Sequence, residues 1–213
     1  MKNNKGFTLI ELSIVLIIIG LLVAGITAGS SLIRAAKIRA VINESTTYRT
    51  AYNAFFSLYN RVPGSDAATD ANVVRPSNGW QELADENLID KRPSTETGEV
   101  VSEGDTPTST LKIASKFSGA SWYLTNTSDE SFGSTAVQTS IPVTNVLFIS
   151  GSNDFDPGAF TDADAQGIDE KVDDGDATTG FVRGVDKEAA MSAYATTDNK
   201  IAAARSLVFR LDF

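Results

Sequence analysis

One stretch limits what this chain can become more than any other: GFTLIELSIVLIIIGLLVAGITAGSSLI, residues 6 to 33, in which Glu11 is the one charged side chain. From Leu12 to Ile33 there is no Asp, Glu, Lys or Arg. As a helix rising about 1.5 Å per residue, that part alone makes roughly 33 Å, enough to cross a hydrocarbon core of about 30 Å. A membrane-spanning helix over residues 7–33 is therefore expected. A carboxylate costs about 2.5–3.5 kcal/mol at the centre of such a span and less near an interface. Glu11 must reach headgroups or meet a positive charge.

The flanks define the kind of span. Met1 to Gly6 are polar and basic, with Lys2 and Lys5. A secretory signal has an apolar core of about 7–15 residues and then a small-residue cleavage site. Here the core is longer, and Ala28 has bulky Ile26 two places before it. Gly6 followed by Phe7-Thr8-Leu9-Ile10-Glu11 resembles the class III signal of type IV pilins and of the pseudopilins of type II secretion. The resemblance implies a prepilin peptidase/N-methyltransferase that cuts after Gly6 and methylates the new amine of Phe7. It implies that Glu11 pairs with the Phe7 ammonium of a neighbouring subunit during assembly; the competing reading is a glutamate snorkelling to headgroups. It further implies a bacterial inner-membrane precursor, then a periplasmic or extracellular filament of identical or related subunits. The expected fold is α+β, the pilin fold: a long N-terminal helix against a C-terminal antiparallel sheet. The divisions are a leader (1–6), a transmembrane and assembly helix (7–33), an amphipathic continuation (34–62) and a globular domain (63–213).

Three glycines interrupt the span. Gly25 and Gly29 form a small-xxx-small pair that lets helices approach closely. Each helical Gly costs about 1 kcal/mol, so the segment is easier to unwind. By resemblance the stretch around Gly20 loses helicity in the filament, although related chains often carry a proline where this one has Ala28.

Composition excludes whole classes of chemistry. There is no Cys and no His, which removes Cys nucleophiles, Ser-His-Asp triads and most zinc sites. Many type IV pilins close their C-terminal region with a disulfide, and this chain departs from that pattern. The formal charge is −9, and loss of Lys2 and Lys5 with a leader makes it two more negative. An acidic body opposes direct nucleic-acid binding, which depends on Lys and Arg at phosphates.

Past the span, Val41, Ser45, Tyr48, Tyr52, Phe55 or Phe56, and Tyr59 recur at helical steps, and Val62-Pro63-Gly64 ends the pattern. Residues 64–79 read as a surface loop. Trp80, Leu83, Ala84 and Leu88 follow a short helical spacing with Ser77 or Asn78 as cap. Residues 93–110 are polar and turn-rich, with Val100-Val101 as a brief strand. Further strands are expected at 111–113, 121–124, 145–150, 181–183 and 206–213. Residues 145–150 suit a central strand, and the last segment alternates Leu207, Phe209, Leu211 and Phe213 with Val208, Arg210 and Asp212, as a half-buried strand does.

Residues 153–176 hold eight aspartates and a glutamate. As local structure, Thr161 caps a helix with Ala165, Ile168 and Val172 on one face and Gly175 at its end. The other reading is calcium, which takes six to eight oxygen ligands. By resemblance, major pseudopilins bind calcium in a C-terminal acidic loop and lack the disulfide; Asp173, Asp174 and Asp176 are then the candidate ligands.

These observations favour a structural subunit with no enzymatic activity. A minor pilin or tip adhesin is a second reading. A membrane-anchored binding protein or enzyme with a Sec-type signal is a third, though no nucleophile–base pair or phosphate loop supports it. By resemblance, the tip subunit of type II secretion lacks the acid that Glu11 supplies here.

Overall fold

The structure is a computed structural model and describes residues 8–65, 72–75, 77–95, 110–127, 144–151, 160–185 and 206–211. Helix α1 runs Leu9–Tyr59 without a break, 51 residues. The chain divides into two compact units, Met1–Lys37 and Ile38–Phe213.

In the first unit the apolar side chains of α1 stand exposed, from Leu9 at 86% to Ile33 at 61%. Its hydroxyls bond within the helix. Ser13 donates to the Ile10 carbonyl (2.9 Å), Thr27 to Ala24 (3.0 Å), Ser30 to Thr27 (2.9 Å) and Ser31 to Ala28 (2.9 Å). A helix in lipid needs this, because no water is there to satisfy a polar group. This is the one helix among the described residues long and apolar enough to cross a membrane.

In the second unit α1 turns one stripe inward: Ile38, Val41, Glu44, Ser45, Tyr48, Ala51, Tyr52 and Phe55 are buried. The expected stripe holds as far as Phe55. Tyr59 departs from it at 44% exposure, because the helix ends there and Asn60 (φ 52°) turns into the left-handed region. An asparagine tolerates that conformation at a helix C-terminus. Val62-Pro63-Gly64 follows as a turn; Gly64 has φ 76°, and a Cβ there would meet the Gly79 nitrogen at 2.7 Å.

Helix α2 (Gly79–Asp85) buries Trp80, Leu83 and Ala84, while Leu88 lies beyond its end. Asn78 is its N-cap residue but makes no side-chain capping bond. The strands are β1 (Ser94–Thr95), β2 (Leu111–Ala114), β3 (Ser121–Asn126), β4 (Asn145–Ser150), β5 (Val182–Val185) and β6 (Ser206–Arg210), with helix α3 (Asp162–Val172) before β5. They form one six-stranded sheet in the order β1-β2-β3-β4-β6-β5, and every neighbouring pair is antiparallel. This is the α+β architecture of the pilin fold, with the long helix first and the antiparallel sheet after it. β4 lies inside the sheet and is buried throughout, as its run of β-branched and aromatic residues requires.

The core is aromatic at its centre. Tyr48 meets Trp80 edge-on at 5.0 Å and Trp122 at 5.7 Å between ring centroids. Three expectations change. The polar 93–110 stretch contributes an edge strand at Ser94–Thr95, held by pairing to Leu111 and Lys112; Val100-Val101 lies outside the described residues. The 64–79 loop is not all surface, since Val74 is buried and its N–H donates to Asn145 Oδ1 at 3.0 Å. The C-terminal strand is buried on both faces. Leu207 and Phe209 join the main core, and Val208 joins a second apolar cluster with Tyr123, Val146, Phe148 and Val185. Asp212 and Phe213 lie outside the described residues.

Candidate functional site

The N-terminal end of α1 begins with a reciprocal hydrogen-bond pair. Glu11 Oε2 accepts from the Thr8 backbone N–H (2.8 Å) and from the Thr8 hydroxyl (2.8 Å). The Glu11 N–H in turn donates to Thr8 Oγ1 at 3.3 Å. This is a capping box, in which a Thr and a Glu three residues on satisfy the free donors of a helix start. The Thr8-x-x-Glu11 spacing announces it in the sequence, with Thr8 as a third partner for Glu11 beside the Phe7 ammonium and headgroups. In a single chain Glu11 thus has a local partner in Thr8. Gly6 and Phe7, the expected cleavage and methylation positions, lie outside the described residues.

Gly20, Gly25 and Gly29 are all helical within α1. A Cβ built on any of them meets nothing within 4 Å. Among the described residues, therefore, no contact within the chain requires a glycine at these positions.

The acidic turn after α3 is built from its own carboxylates. Thr161 caps α3 as expected: its Oγ1 accepts from the Asp164 N–H at 3.3 Å, and its hydroxyl donates to Asp164 Oδ2 at 2.7 Å. Ala165 and Ile168 face the core and Val172 is half-buried. The helix ends earlier than expected, with Asp173 as C-cap residue; Gly175 (φ 79°) lies in the turn beyond. Asp173 Oδ2 accepts from the N–H groups of Phe181 and Val182, tying the turn to the start of β5. Asp174 accepts from the Asp176 N–H (2.9 Å) and the Thr179 hydroxyl (2.7 Å). Asp176 accepts from the Thr178 N–H (3.0 Å) and hydroxyl (2.7 Å). These bonds favour the ionised form and hold both carboxyls below their ordinary value, through the Asp176 N–H and Thr179 for Asp174, and through Thr178 for Asp176.

Of the candidate calcium ligands, the fold brings Asp173 and Asp174 together with buried Asp169, with one oxygen of each inside a 4.8 Å group. Asp176 is not in that group and turns to Thr178. The donor set is chemically suited to a hard cation, although three carboxylates supply only part of the six to eight oxygens calcium takes.

A further carboxylate escaped the sequence reading. Glu44 is 6% exposed and accepts from Lys91 Nζ (2.9 Å), the Ser115 hydroxyl (2.6 Å), the Lys116 N–H (3.1 Å) and Trp122 Nε1 (2.9 Å). Burial alone raises its pKa. The bonds from Ser115, Trp122 and Lys91, with the Lys91 charge, outweigh burial and leave it below its ordinary value. Asn145, at the start of β4, uses its whole amide. Its NH2 donates to the Tyr52 hydroxyl (2.9 Å) and the Asn72 carbonyl (2.8 Å), and its Oδ1 accepts from Val74 N–H (3.0 Å) and Asn126 Nδ2 (2.8 Å).

Residues 1–27 match the family model for the prokaryotic N-terminal methylation motif. The chain therefore carries a type IV pilin-like prepilin N-terminus with a class III signal, of a kind that belongs to structural rather than catalytic proteins. No curated protein and no solved structure matches the chain.

Proposed function

We propose that this protein is a structural subunit of a type IV pilus-like filament. It is made as a single-pass inner-membrane precursor and cut between Gly6 and Phe7 by a prepilin peptidase, which then methylates the Phe7 amine. It polymerises through residues 7–33 of α1, with residues 34–62 and 63–213 forming the exported globular part. The observation that carries this reading is the methylation motif over residues 1–27 leading directly into an apolar helix that a single chain leaves exposed. Assembly would cover that face with the same face of its neighbours, and Gly20, Gly25 and Gly29 would let them come close.

Glu11 then has two successive partners. In the single chain its carboxylate serves Thr8; in the filament the methylated ammonium of an adjoining Phe7 replaces that bond and neutralises the charge. Glu11→Gln separates the roles, because a glutamine still completes a capping box but carries no charge. Filament yield from Glu11→Gln should collapse while the globular unit stays folded. Normal filaments from that variant would rule out the charge-pairing role.

A second reading concerns the acidic turn. Asp169, Asp173 and Asp174 converge, and we propose that they hold a calcium ion completed by further oxygens. Saturating calcium should then raise the melting temperature, since a ligand bound only by the folded state adds RT ln(1 + [L]/Kd), and Asp173→Asn should remove the increment. An unchanged midpoint with and without chelator would leave these aspartates as turn anchors alone.

A further inference from the structure

Two surface features belong to the globular unit rather than to the apolar N-terminal part of α1. Among the described residues of this unit, two large apolar side chains stand exposed: Leu58 at 66% and Tyr59 at 44%. They are adjacent, in the last turn of α1. The exposed Glu86 carboxylate lies close to the Tyr59 hydroxyl and pushes its pKa up. The Arg61 guanidinium stands over the Tyr59 ring, 5.9 Å from its centre, and is paired with Glu82 at 2.7 Å. With Arg61 neutralised by Glu82, the patch is an apolar knob whose unneutralised charge is the Glu86 carboxylate at its edge.

The second feature is a cavity of about 230 Å³ alongside α1. Ile42, Leu147, Phe181 and Phe209 form its apolar lining, and exposed Arg49 and Lys171 stand at its rim. The Arg49 guanidinium lies 5.0 Å from the centre of the Phe181 ring. Small-molecule sites usually measure about 300–1,000 Å³. This hollow is smaller, which suits protein side chains better than a cofactor.

Knob and hollow are complementary. One offers apolar groups and a carboxylate; the other offers an apolar lining and two cations. They cannot meet within one chain. Thr46, at the hollow, and Leu58 are both on α1, roughly 18 Å apart at about 1.5 Å per residue. Two copies, each more negative than the full chain's −9 once Lys2 and Lys5 are lost, repel unless the contact opposes unlike charges, and Arg49 and Lys171 against Glu86 would do so. A contact between two different patches does not close on itself as a two-fold dimer does; repeated, it makes rings or open helical assemblies.

We propose that Leu58 and Tyr59 of one copy seat in the hollow of the next copy, with Glu86 set against Arg49 and Lys171, as a contact between globular units. The proposal rests on the filament reading. Copies with parallel helices joined in this way are staggered by roughly 18 Å along α1.

The chain has no cysteine, so an engineered pair is a clean probe. The full chain carrying Thr46→Cys and Leu58→Cys, assembled in its own membrane and mildly oxidised, should give a ladder of covalent multimers, while either single variant gives at most dimers. Arg49→Glu with Lys171→Glu in that background should cut the ladder about tenfold, since like charges set face to face are costly, and adding Glu86→Lys should restore most of it. Filaments of subunits beginning at Phe7 that yield no ladder would overturn this contact while leaving the filament reading intact. So would cross-linking only to a different protein. Subunits cleaved elsewhere and never polymerised would overturn both.

Discussion

Glu44 occupies a helix position that periodicity assigns to the core, three residues after Val41 and four before Tyr48, and such positions seldom hold a carboxylate. Here it ties α1 to Lys91 and to the β2–β3 hairpin at once. Glu44→Ala should destabilise the globular unit by about 2–4 kcal/mol in urea or thermal melts. It strands the Trp122 N–H, the Ser115 hydroxyl and the Lys116 N–H, and leaves a partly buried Lys91 without its counter-charge. A cost under about 0.5 kcal/mol, the usual limit for a surface substitution, would show that water replaces it freely. The pH dependence has a definite sign. Glu44 titrates below its ordinary 4.5, and Asp174 and Asp176 below 3.8. Their stabilisation is fully present above those values and is lost as the pH falls through the lower folded-state values. Melting midpoints should therefore hold from neutrality to about pH 5 and drop in more acid solution, with a shallower drop in Glu44→Gln. Periodicity marks Glu44 as inward-facing, but its partners are brought together only by the sheet, so the sequence alone could not show what satisfies it.

At the scale of elements, what was legible is what local rules determine. The span, the aromatic stripe as far as Phe55, the buried β4 and the Thr161 cap all follow from period, composition or a capping side chain. The misreadings arise where tertiary partners decide. Ser94–Thr95 has a polar sequence and is a strand only because β2 offers its edge. Val208 looks outward by alternation, and Tyr123, Val146, Phe148 and Val185 give it a second core. Tyr59 continues the helical stripe, but Asn60 stops the helix where it stands exposed. Gly64 marks a similar limit: a turn residue was expected there, but not the closeness of the α2 start. Gly64→Ala should cost about 1–3 kcal/mol, because its φ of 76° disfavours a side chain and the Cβ would collide with the Gly79 backbone. A stable variant with unchanged far-ultraviolet spectrum and melting midpoint would contradict that placement. At the other end of α1, Thr8→Ala removes the capping hydroxyl. It should cost about 1 kcal/mol of helix stability, read as increased amide exchange over the first turn in detergent micelles.

The chain carries an apolar helix segment left exposed in a single copy and a sheet whose inner strands β3, β4 and β6 are buried on both faces, and it has no cysteine for a disulfide. The class of protein was legible because the N-terminal signal is a short local string that a peptidase must read. The contacts proposed between copies were not, since they depend on surfaces formed only after folding. The central claim is that this exposed helix is kept and used for assembly rather than cut away. Mass spectrometry of the exported protein tests it most directly. The account predicts a mature chain that begins at Phe7 with one methyl group on its amine and retains the whole of α1. A mature chain that begins near Ala28 or later, without the apolar helix, would contradict it.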